Sequence, residues 1–400
     1  MTDGDEETDK RTPVAEFARF LRTETVGGMV LLGAAALALI LANSPLDEVY
    51  RAIREFTIGP SALHLNLSVE TWAKDGLLAL FFYVAGLELK RELVVGELST
   101  VKAATLPAIA AIGGMIAPAL LAFAVGGSQI GDAWSVPVAT DIAFALGVLA
   151  LAGSRMPSSA RVFLLSLAVV DDLGAIAVIA ILFTDSINWL AAGAAVLLLA
   201  LYWFCQHKRI RTPFVYVPIA LLTWYAVHEA GVHATIAGVL LGLLTRVRPD
   251  PEEHEAPAVR MEHLLQPWSA GLAVPLFALV AAGVPVNGEA MSAVFTDTVP
   301  LAVIVGLIVG KFIGITGFSF AAVKLGLGAK PAGLGWRDVA AVSMLGGVGF
   351  TVSLLIAELS LTGTQADHAK AAVLIASAVA SLLAAAMLVR RSRVHTDLRE

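Results

Sequence analysis

Charged residues are scarce in this sequence. Asp, Glu, Lys and Arg make up 15% of the 400 residues, whereas hydrophobic residues make up 58%. The mean hydropathy is +0.80, and a soluble domain carries charge on about a quarter of its residues. The composition therefore excludes an ordinary soluble protein and predicts one that is embedded in a membrane.

Cysteine is rarer still, since Cys205 is the only one. A single cysteine excludes an intramolecular disulfide and a metal cluster held by cysteines. The N terminus has neither the basic start nor the small-residue cleavage site of a secretory signal. We therefore expect the first apolar segment to remain as an anchor behind a hydrophilic, acidic cytoplasmic tail of residues 1–22.

Long apolar segments fill the rest of the chain. About 20 apolar residues cross the hydrocarbon layer as a helix, and twelve segments of this kind are separated by Pro, Gly and charge clusters. They cover residues 25–43, 70–90, 103–125, 132–152, 160–184, 187–206, 213–229, 232–246, 262–284, 297–323, 337–359 and 366–389. The predicted fold class is an all-α polytopic membrane protein, with a transmembrane domain of residues 23–390 and a cytoplasmic C-terminal tail of residues 391–400.

Lysine and arginine are distributed unevenly between the two sides of the membrane. If both termini are inside, 22 of the 27 lie in inner loops and tails, and three lie in outer loops, at Arg51, Arg54 and Lys370. Cytoplasmic loops carry the excess of positive charge in membrane proteins. We therefore predict that both termini are cytoplasmic.

The outer segment of residues 43–70 is the longest external connection. Residues 57–60 (Thr-Ile-Gly-Pro) are followed by the alternating Leu63, Leu65 and Leu67. This pattern is typical of a short hairpin, although an ordinary loop fits it too. The open edge of a hairpin can pair with a second copy of the chain, which would give a homodimer.

Asp141 is a charged residue inside an apolar segment. A charge at the centre of a membrane helix costs roughly 2.5 to 3.5 kcal/mol on insertion scales, so it is usually kept for function. Pro137 stands four residues before it and interrupts a helix, because proline lacks the N–H and clashes with the preceding turn. Freed carbonyl groups, the carboxylate and the Thr140 hydroxyl would form an oxygen cage, which hard cations prefer.

Asp171 and Asp172 are adjacent in the middle of another apolar segment. Successive helical residues point about 100° apart, so the two carboxylates need different environments. One would pair with a cation and the other would face a cavity. Two acids held this close titrate as a coupled pair, so proton exchange near neutral pH is expected.

Two further apolar segments contain closely spaced glycines. Lys311 follows glycines at four-residue spacing, which let helices approach closely and would place the ammonium beside a buried acid; a lysine that reaches the membrane surface is the alternative. Residues 346–349 contain three glycines and predict a second interrupted helix, or only tight packing. Half-helices that meet at mid-membrane expose charged ends, which Asp141 and Lys311 have the signs to neutralise.

Histidines and a charge cluster mark two helix ends. His228 and His233 resemble a metalloprotease signature, but they are five positions apart instead of four, which points them about 140° apart and excludes a shared zinc ion. His233 is either a titrating sensor or a plain interfacial residue. Residues 88–92 are either a solvated helix end or a funnel that attracts cations.

Together these segments resemble the NhaA-type sodium/proton antiporters of bacterial inner membranes, a family with inverted repeats. The matching stretches are residues 81–92, 139–141, 171–172, 231–235, 310–311 and 346–353. The resemblance implies two discontinuous helices that cross at mid-membrane. It also implies that Asp171 and Asp172 bind Na⁺ and protons, that Asp141 and Thr140 belong to the crossing, and that Lys311 balances the crossing and pairs with Asp171.

The same resemblance assigns residues along the transport path. Asp75 would lie on the outer side of the cation passage. A cytoplasmic pH-sensing network would consist of Glu88, Arg91, Glu92, His233 and Glu262.

The predicted function is electrogenic, pH-regulated exchange of Na⁺, and also Li⁺, for H⁺ by alternating access, with no cofactor and no nucleic-acid partner. A sodium-coupled symporter for an organic solute on a similar fold is one alternative. An intramembrane aspartyl protease or a prenyl-transfer enzyme is another. The protease needs two distant, facing acids and the transferase needs paired acid motifs, whereas this sequence has an adjacent pair and a lysine.

Overall fold

The computed structural model describes residues 24–184, 186–251 and 253–397, so the predicted tail of residues 1–22 lies outside the described residues. Helices predominate in this part of the chain. In order they are α1 (Glu24–Ala42), α2 (Asp47–Glu55), α3 (Val69–Thr71), α4 (Leu78–Val94), α5 (Val101–Gly126), α6 (Ile142–Ala152), α7 (Ser158–Leu182), α8 (Trp189–His207), α9 (Pro213–Glu229), α10 (Thr235–Leu244), α11 (Pro257–Trp268), α12 (Val274–Ala281), α13 (Gly288–Thr296), α14 (Thr298–Val305), α15 (Lys311–Lys324), α16 (Trp336–Leu345), α17 (Phe350–Ser360) and α18 (Gly363–Asp397).

Several of these helices are joined by turns of other helical types. Short π-helical segments connect α3 to α4 (Trp72–Leu77), α11 to α12 (Ser269–Ala273) and α14 to α15 (Gly306–Gly310). A 3₁₀ segment, Gly131–Val138, precedes α6 and contains Pro137. Each joined set occupies one predicted apolar segment.

All twelve predicted apolar segments contain helix. Seven helices among the described residues are long and apolar enough to cross a membrane, or nine if each of two bent helix pairs counts as one span. The prediction of an all-α polytopic membrane protein is confirmed. Twelve crossings and an inverted-repeat relation between the halves stay predictions.

The predicted hairpin is present. Strand β1 (Thr57–Ile58) pairs antiparallel with β2 (Leu67–Ser68). Gly59 follows β1 with a φ of +124°, which glycine adopts without steric cost. The Trp72 indole N–H donates to the Ile58 carbonyl at 2.9 Å, so the hairpin is fixed to the helix that follows it.

The glycines before Lys311 allow the close helix approach that the sequence predicts. A methyl group added at Gly310 would lie 2.5 Å from the Cα of Pro118 in α5. A side chain therefore does not fit between α5 and the segment that joins α14 to α15. The main apolar core extends from Leu31 in α1 to Leu388 in α18.

The predicted topology gives the molecule an inner and an outer face. The inner face is the end of α4 near Glu92, and the outer face holds the hairpin. A loop on the inner face contains Asp250, which lies 2.6 Å from Arg246 and 2.7 Å from Arg209. The hydrogen bond from Arg246, helped by the charges of both guanidinium groups, lowers the pKa of Asp250 from its ordinary value despite partial burial.

Candidate cation and proton site

Two interrupted helices meet inside the protein. The first is broken between the 3₁₀ segment and α6, and the second is broken between α16 and α17, which are bent by 49°. The Asp141 N–H donates to the Val348 carbonyl at 2.6 Å, and the Thr140 hydroxyl donates to the Gly346 carbonyl at 2.9 Å. The predicted interruptions at Pro137 and at the glycines are confirmed, and the two breaks are in direct contact.

Asp141 satisfies the N-terminal ends of both half-helices that start at this crossing. Its Oδ1 accepts from the Phe144 N–H at 3.0 Å, at the start of α6. Its Oδ2 accepts from the Thr351 N–H at 3.2 Å and from the Thr351 hydroxyl at 2.7 Å, at the start of α17. One carboxylate thus places negative charge at two positive helix ends.

Thr351 is a contact that the sequence reasoning did not single out. It lies in the matching stretch of residues 346–353, directly after the last glycine and Phe350. A hydroxyl residue at the start of a half-helix, just after a glycine break, is the signal that would have identified it.

Lys311 pairs with Asp171. Its Nζ lies 2.8 Å from Asp171 Oδ1 and 2.6 Å from Oδ2, and the two side chains are 0% and 2% exposed. The alternative of a lysine that reaches the membrane surface is therefore wrong. The Thr140 side chain at the crossing also interacts with Asp171 electrostatically, which connects this pair to the crossing.

Asp172 has a different environment from its neighbour. The residue is buried, and its Oδ1 has no hydrogen-bond partner among the described residues. The helix rotation between adjacent residues turns it away from Lys311 and toward a cavity. The predicted division of the pair, one acid with a cation and one facing a cavity, matches this geometry.

That cavity is a funnel of about 240 Å³. It connects Asp172 with residues at the inner ends of α4, α7 and α11. Its polar lining consists of Glu88, Arg91, Arg161, Asp172, Glu262, Gln266 and Ser269. The funnel therefore links charged residues at the inner face with the buried Asp172 carboxylate.

The mouth of the funnel holds an ionic cluster. Arg91 Nε lies 3.3 Å from Glu262 Oε2, and an Arg91 terminal nitrogen lies 3.8 Å from Glu92 Oε1. The other Glu92 oxygen accepts from the Glu97 N–H at 3.0 Å. The structure thus brings together four of the five residues predicted for the pH-sensing network, with Glu88 inside the funnel.

His233, the fifth, is elsewhere. Its Nε2 lies 3.6 Å from Asp75 Oδ1, and His228 lies 3.9 Å from the other Asp75 oxygen. Asp75 and Glu92 are 17 residues apart on one helical segment, or roughly 25 Å at 1.5 Å per residue. The placement of His233 with Arg91 on the inner face is therefore wrong, because the turn between α9 and α10 lies at the outer end, beside Asp75.

A family model described as Na⁺/H⁺ antiporter 1 matches residues 18–388, which is most of the chain. The chain belongs to the NhaA-type sodium/proton antiporter family. It is 69% identical over 380 residues to Na(+)/H(+) antiporter NhaA 1 of Saccharopolyspora erythraea, covering 94% of this chain and 92% of that protein. It is 60% identical over 386 residues to NhaA of Nocardia farcinica (95% and 92% covered) and 46% identical over 404 residues to NhaA of Thermobifida fusca (98% and 97% covered).

Membership of this antiporter family makes the chain a transporter and not an intramembrane enzyme. Within the antiporter, the three buried acids have separate partners. Asp141 accepts hydrogen bonds at the helix crossing, and Asp171 is neutralised by Lys311. Asp172, at the end of the funnel, has an oxygen to which no described residue donates. Of these three acids, Asp172 is the one that lines the funnel.

Proposed function

We propose that this chain exchanges Na⁺ for H⁺ across the bacterial inner membrane, with both termini in the cytoplasm. The observation that supports it best is the buried Asp172 carboxylate, whose Oδ1 accepts no hydrogen bond from the part of the chain that the structure describes. A carboxylate without a partner in a low-dielectric interior must take up a proton or a metal cation. Because both compete for one group, binding of either ion releases the other.

Oxygen atoms suited to a hard cation surround this position. Asp171 precedes Asp172 on α7, and Thr140 interacts with Asp171 electrostatically from the crossing. Na⁺ prefers carboxylate and hydroxyl oxygens of this kind, and so does Li⁺, which we expect the protein to carry as well. The cation is substrate here, not a resident cofactor.

The Lys311 pair gives the exchange a net charge. A Na⁺ ion that shares the Asp171 carboxylate competes with the Lys311 ammonium, which then releases a proton to the funnel. One proton from Asp172 and one from Lys311 leave for each Na⁺ that binds. The exchange therefore moves one net positive charge and depends on the membrane potential.

Alternating access follows from the position of the funnel. In this arrangement the cavity beside Asp172 is lined by charged residues of the inner face, among them Glu88, Arg91 and Glu262. Movement of the crossing closes the funnel and exposes the acids outward, where Asp75 marks the end of the path. The Arg91–Glu262 cluster at the mouth responds to cytoplasmic pH, because protonation of Glu262 releases Arg91 and changes the charge at the entrance.

The test is proton movement in everted membrane vesicles after addition of Na⁺, Li⁺ or K⁺, with and without a membrane potential. Wild-type protein should release protons with Na⁺, and Asp172→Asn should not. Asp132→Asn, at an exposed acid, is the matched control and should behave as wild type. Full activity of Asp172→Asn would refute the proposal, and Na⁺ movement that requires an organic solute would support a symporter instead.

We propose in addition that the hairpin joins two copies into a homodimer. Both residues of β1 are exposed, so this strand offers an unpaired edge to a second copy. In a Cys205→Ser background, Ile58→Cys should form an intermolecular disulfide in the membrane, whereas Lys330→Cys on the inner face should not. Equal cross-linking of the two variants would contradict a hairpin interface.

A further inference from the structure

Four charged side chains form a cluster on the outer face that the transport site does not use. Arg54, in α2, donates to Glu70 Oε1 at 2.6 Å, and Glu70 lies in α3, directly after the hairpin. Lys370 Nζ, in α18, lies 3.5 Å from Glu358 Oε1, near the end of α17. Glu358 also interacts electrostatically with Glu70. We call these four residues the outer anchor, because they connect α17 and α18 with the outer segment of residues 43–70.

Glu358 is the least expected member of the outer anchor. It lies inside the predicted apolar segment of residues 337–359, and the sequence reasoning did not single it out. The Glu358 and Lys370 side chains are 8% and 4% exposed, and Glu358 Oε2 accepts no hydrogen bond from the residues that the structure describes. A buried carboxylate is costly and is usually kept for function. Because Glu358 is neither at the crossing nor in the lining of the funnel, we look for its function at the outer face.

Helix α17 connects the outer anchor with the crossing. It starts at the crossing, where Thr351 binds Asp141, and Glu358 follows seven residues later, or roughly 10 Å at 1.5 Å per residue. Rigid helices carry a displacement from one end to the other. Helix α2, at the opposite side of the anchor, is fixed to α12 by the Tyr50 hydroxyl, which donates to the Leu279 carbonyl at 2.7 Å. Holding Glu358 therefore limits how far the crossing end of α17 can move.

The outer anchor borders a cavity of about 420 Å³ on the outer face. Arg54, Glu70 and Asp367 are among the residues that line it. Charges that separate beside such a cavity regain hydration, so opening this part of the anchor costs less than breaking a fully buried pair. The outer anchor can therefore open and form again within a transport cycle.

We propose that Glu358 positions α17 for the inward-facing arrangement of the crossing. The funnel at Asp172 is lined by inner-face residues, and the outer anchor holds the outer end of α17 in place in this arrangement. Outward exposure of the acids then requires α17 to move away from Glu70 and Arg54. The anchor thus sets the ratio of inward-facing to outward-facing protein. This inference rests on the proposed exchange function, and it concerns the face from which Na⁺ binds, not the cation site itself.

The first experiment measures the KM for Na⁺ on each face. Na⁺-driven proton movement in everted vesicles gives the inner-face value, and right-side-out vesicles give the outer-face value. Glu358→Gln keeps the size of the side chain but loses the charge, and Lys370 retains Asp367 at 3.2 Å, so the ammonium is not left unpaired. The variant should lower the outer-face KM about fivefold and raise the inner-face KM. Glu289→Gln, at an exposed acid in another outer loop, is the matched control and should leave both values unchanged.

A merely structural role for Glu358 would give a different result. A variant that only folds less well loses maximal rate on both faces, whereas opposite shifts of the two KM values require a changed ratio of the two arrangements. KM values that stay unchanged, or that shift in the same direction, would overturn the positioning role.

A second measurement does not depend on transport. In a Cys205→Ser background, Gln266→Cys places a thiol in the lining of the funnel, where a membrane-impermeant maleimide added to everted vesicles labels it. Adding Glu358→Gln should slow this labelling, and adding Glu289→Gln should not. Equal labelling rates with and without Glu358→Gln would overturn the positioning role. Wild-type protein that moves no protons on addition of Na⁺ would overturn the exchange function, and the labelling rates alone would then decide whether Glu358 positions α17.

Discussion

Replacing one partner of the Lys311–Asp171 pair should reveal how strongly this pair supports the fold. Asp171→Asn removes the carboxylate that accepts two short contacts from the ammonium. The ammonium, which is 0% exposed, must then lose its proton or stay charged without a partner. Breaking a buried pair in this way costs about 3 to 5 kcal/mol. At roughly 1 to 2 °C per kcal/mol for a chain of this size, the melting temperature should fall by about 5 °C.

Thermal unfolding of the purified protein in detergent, followed by tryptophan fluorescence, measures this loss. The double variant Asp171→Asn with Lys311→Met removes both charges and should recover most of the stability, because neither charge remains buried alone. Asp172→Asn is the control at the adjacent position. Because one oxygen of Asp172 has no donor among residues 24–184, 186–251 and 253–397, this variant should lose far less stability. Equal melting temperatures for Asp171→Asn and wild type would show that the ammonium does not depend on Asp171.

Two further predictions concern packing and the inner loop. Gly310→Ala should lower the free energy of unfolding by about 1 to 3 kcal/mol, because the added methyl group overlaps Pro118,. Gly317→Ala should cause no such loss, because no described atom lies within 4 Å of a methyl group added there. Equal losses in the two variants, measured by thermal unfolding, would contradict the packing. The lowered pKa of Asp250 means that its bond to Arg246 stabilises the fold fully above the ordinary value of about 3.9 and is lost as the pH falls through the lowered one,. Asp250→Asn should therefore lower the melting temperature at pH 7 and lose this difference in acid; a difference that persists in acid would refute the assignment.

The helices and the breaks in them can be predicted from the sequence. Apolar segments must form helices to satisfy their backbone groups in lipid, and Pro137 and the glycines of residues 346–349 are local causes of interruption. The adjacent acids at 171 and 172 were correctly expected to have different surroundings, because the rotation between neighbouring helical residues is fixed.

Contacts between distant segments could not be predicted in the same way. The family resemblance groups His233 with Arg91, but only the packing of α9 and α10 shows at which face the turn lies. The contact of Glu358 with Lys370 depends on the packing of α17 against α18, and hydropathy carries no signal for such a contact. Thr351 was overlooked because a single hydroxyl after a glycine break is common in membrane helices.

The backbone contacts between Asp141 and Val348, and between Thr140 and Gly346, have a consequence for how such a protein can evolve or be redesigned. Restoring a continuous helix on one side would remove the carbonyl or N–H that completes the other side, leaving polar atoms stranded in hydrocarbon. Residues some 200 positions apart in the chain are thus constrained jointly. A viable repair of either interruption would have to come with a matching change in its distant counterpart.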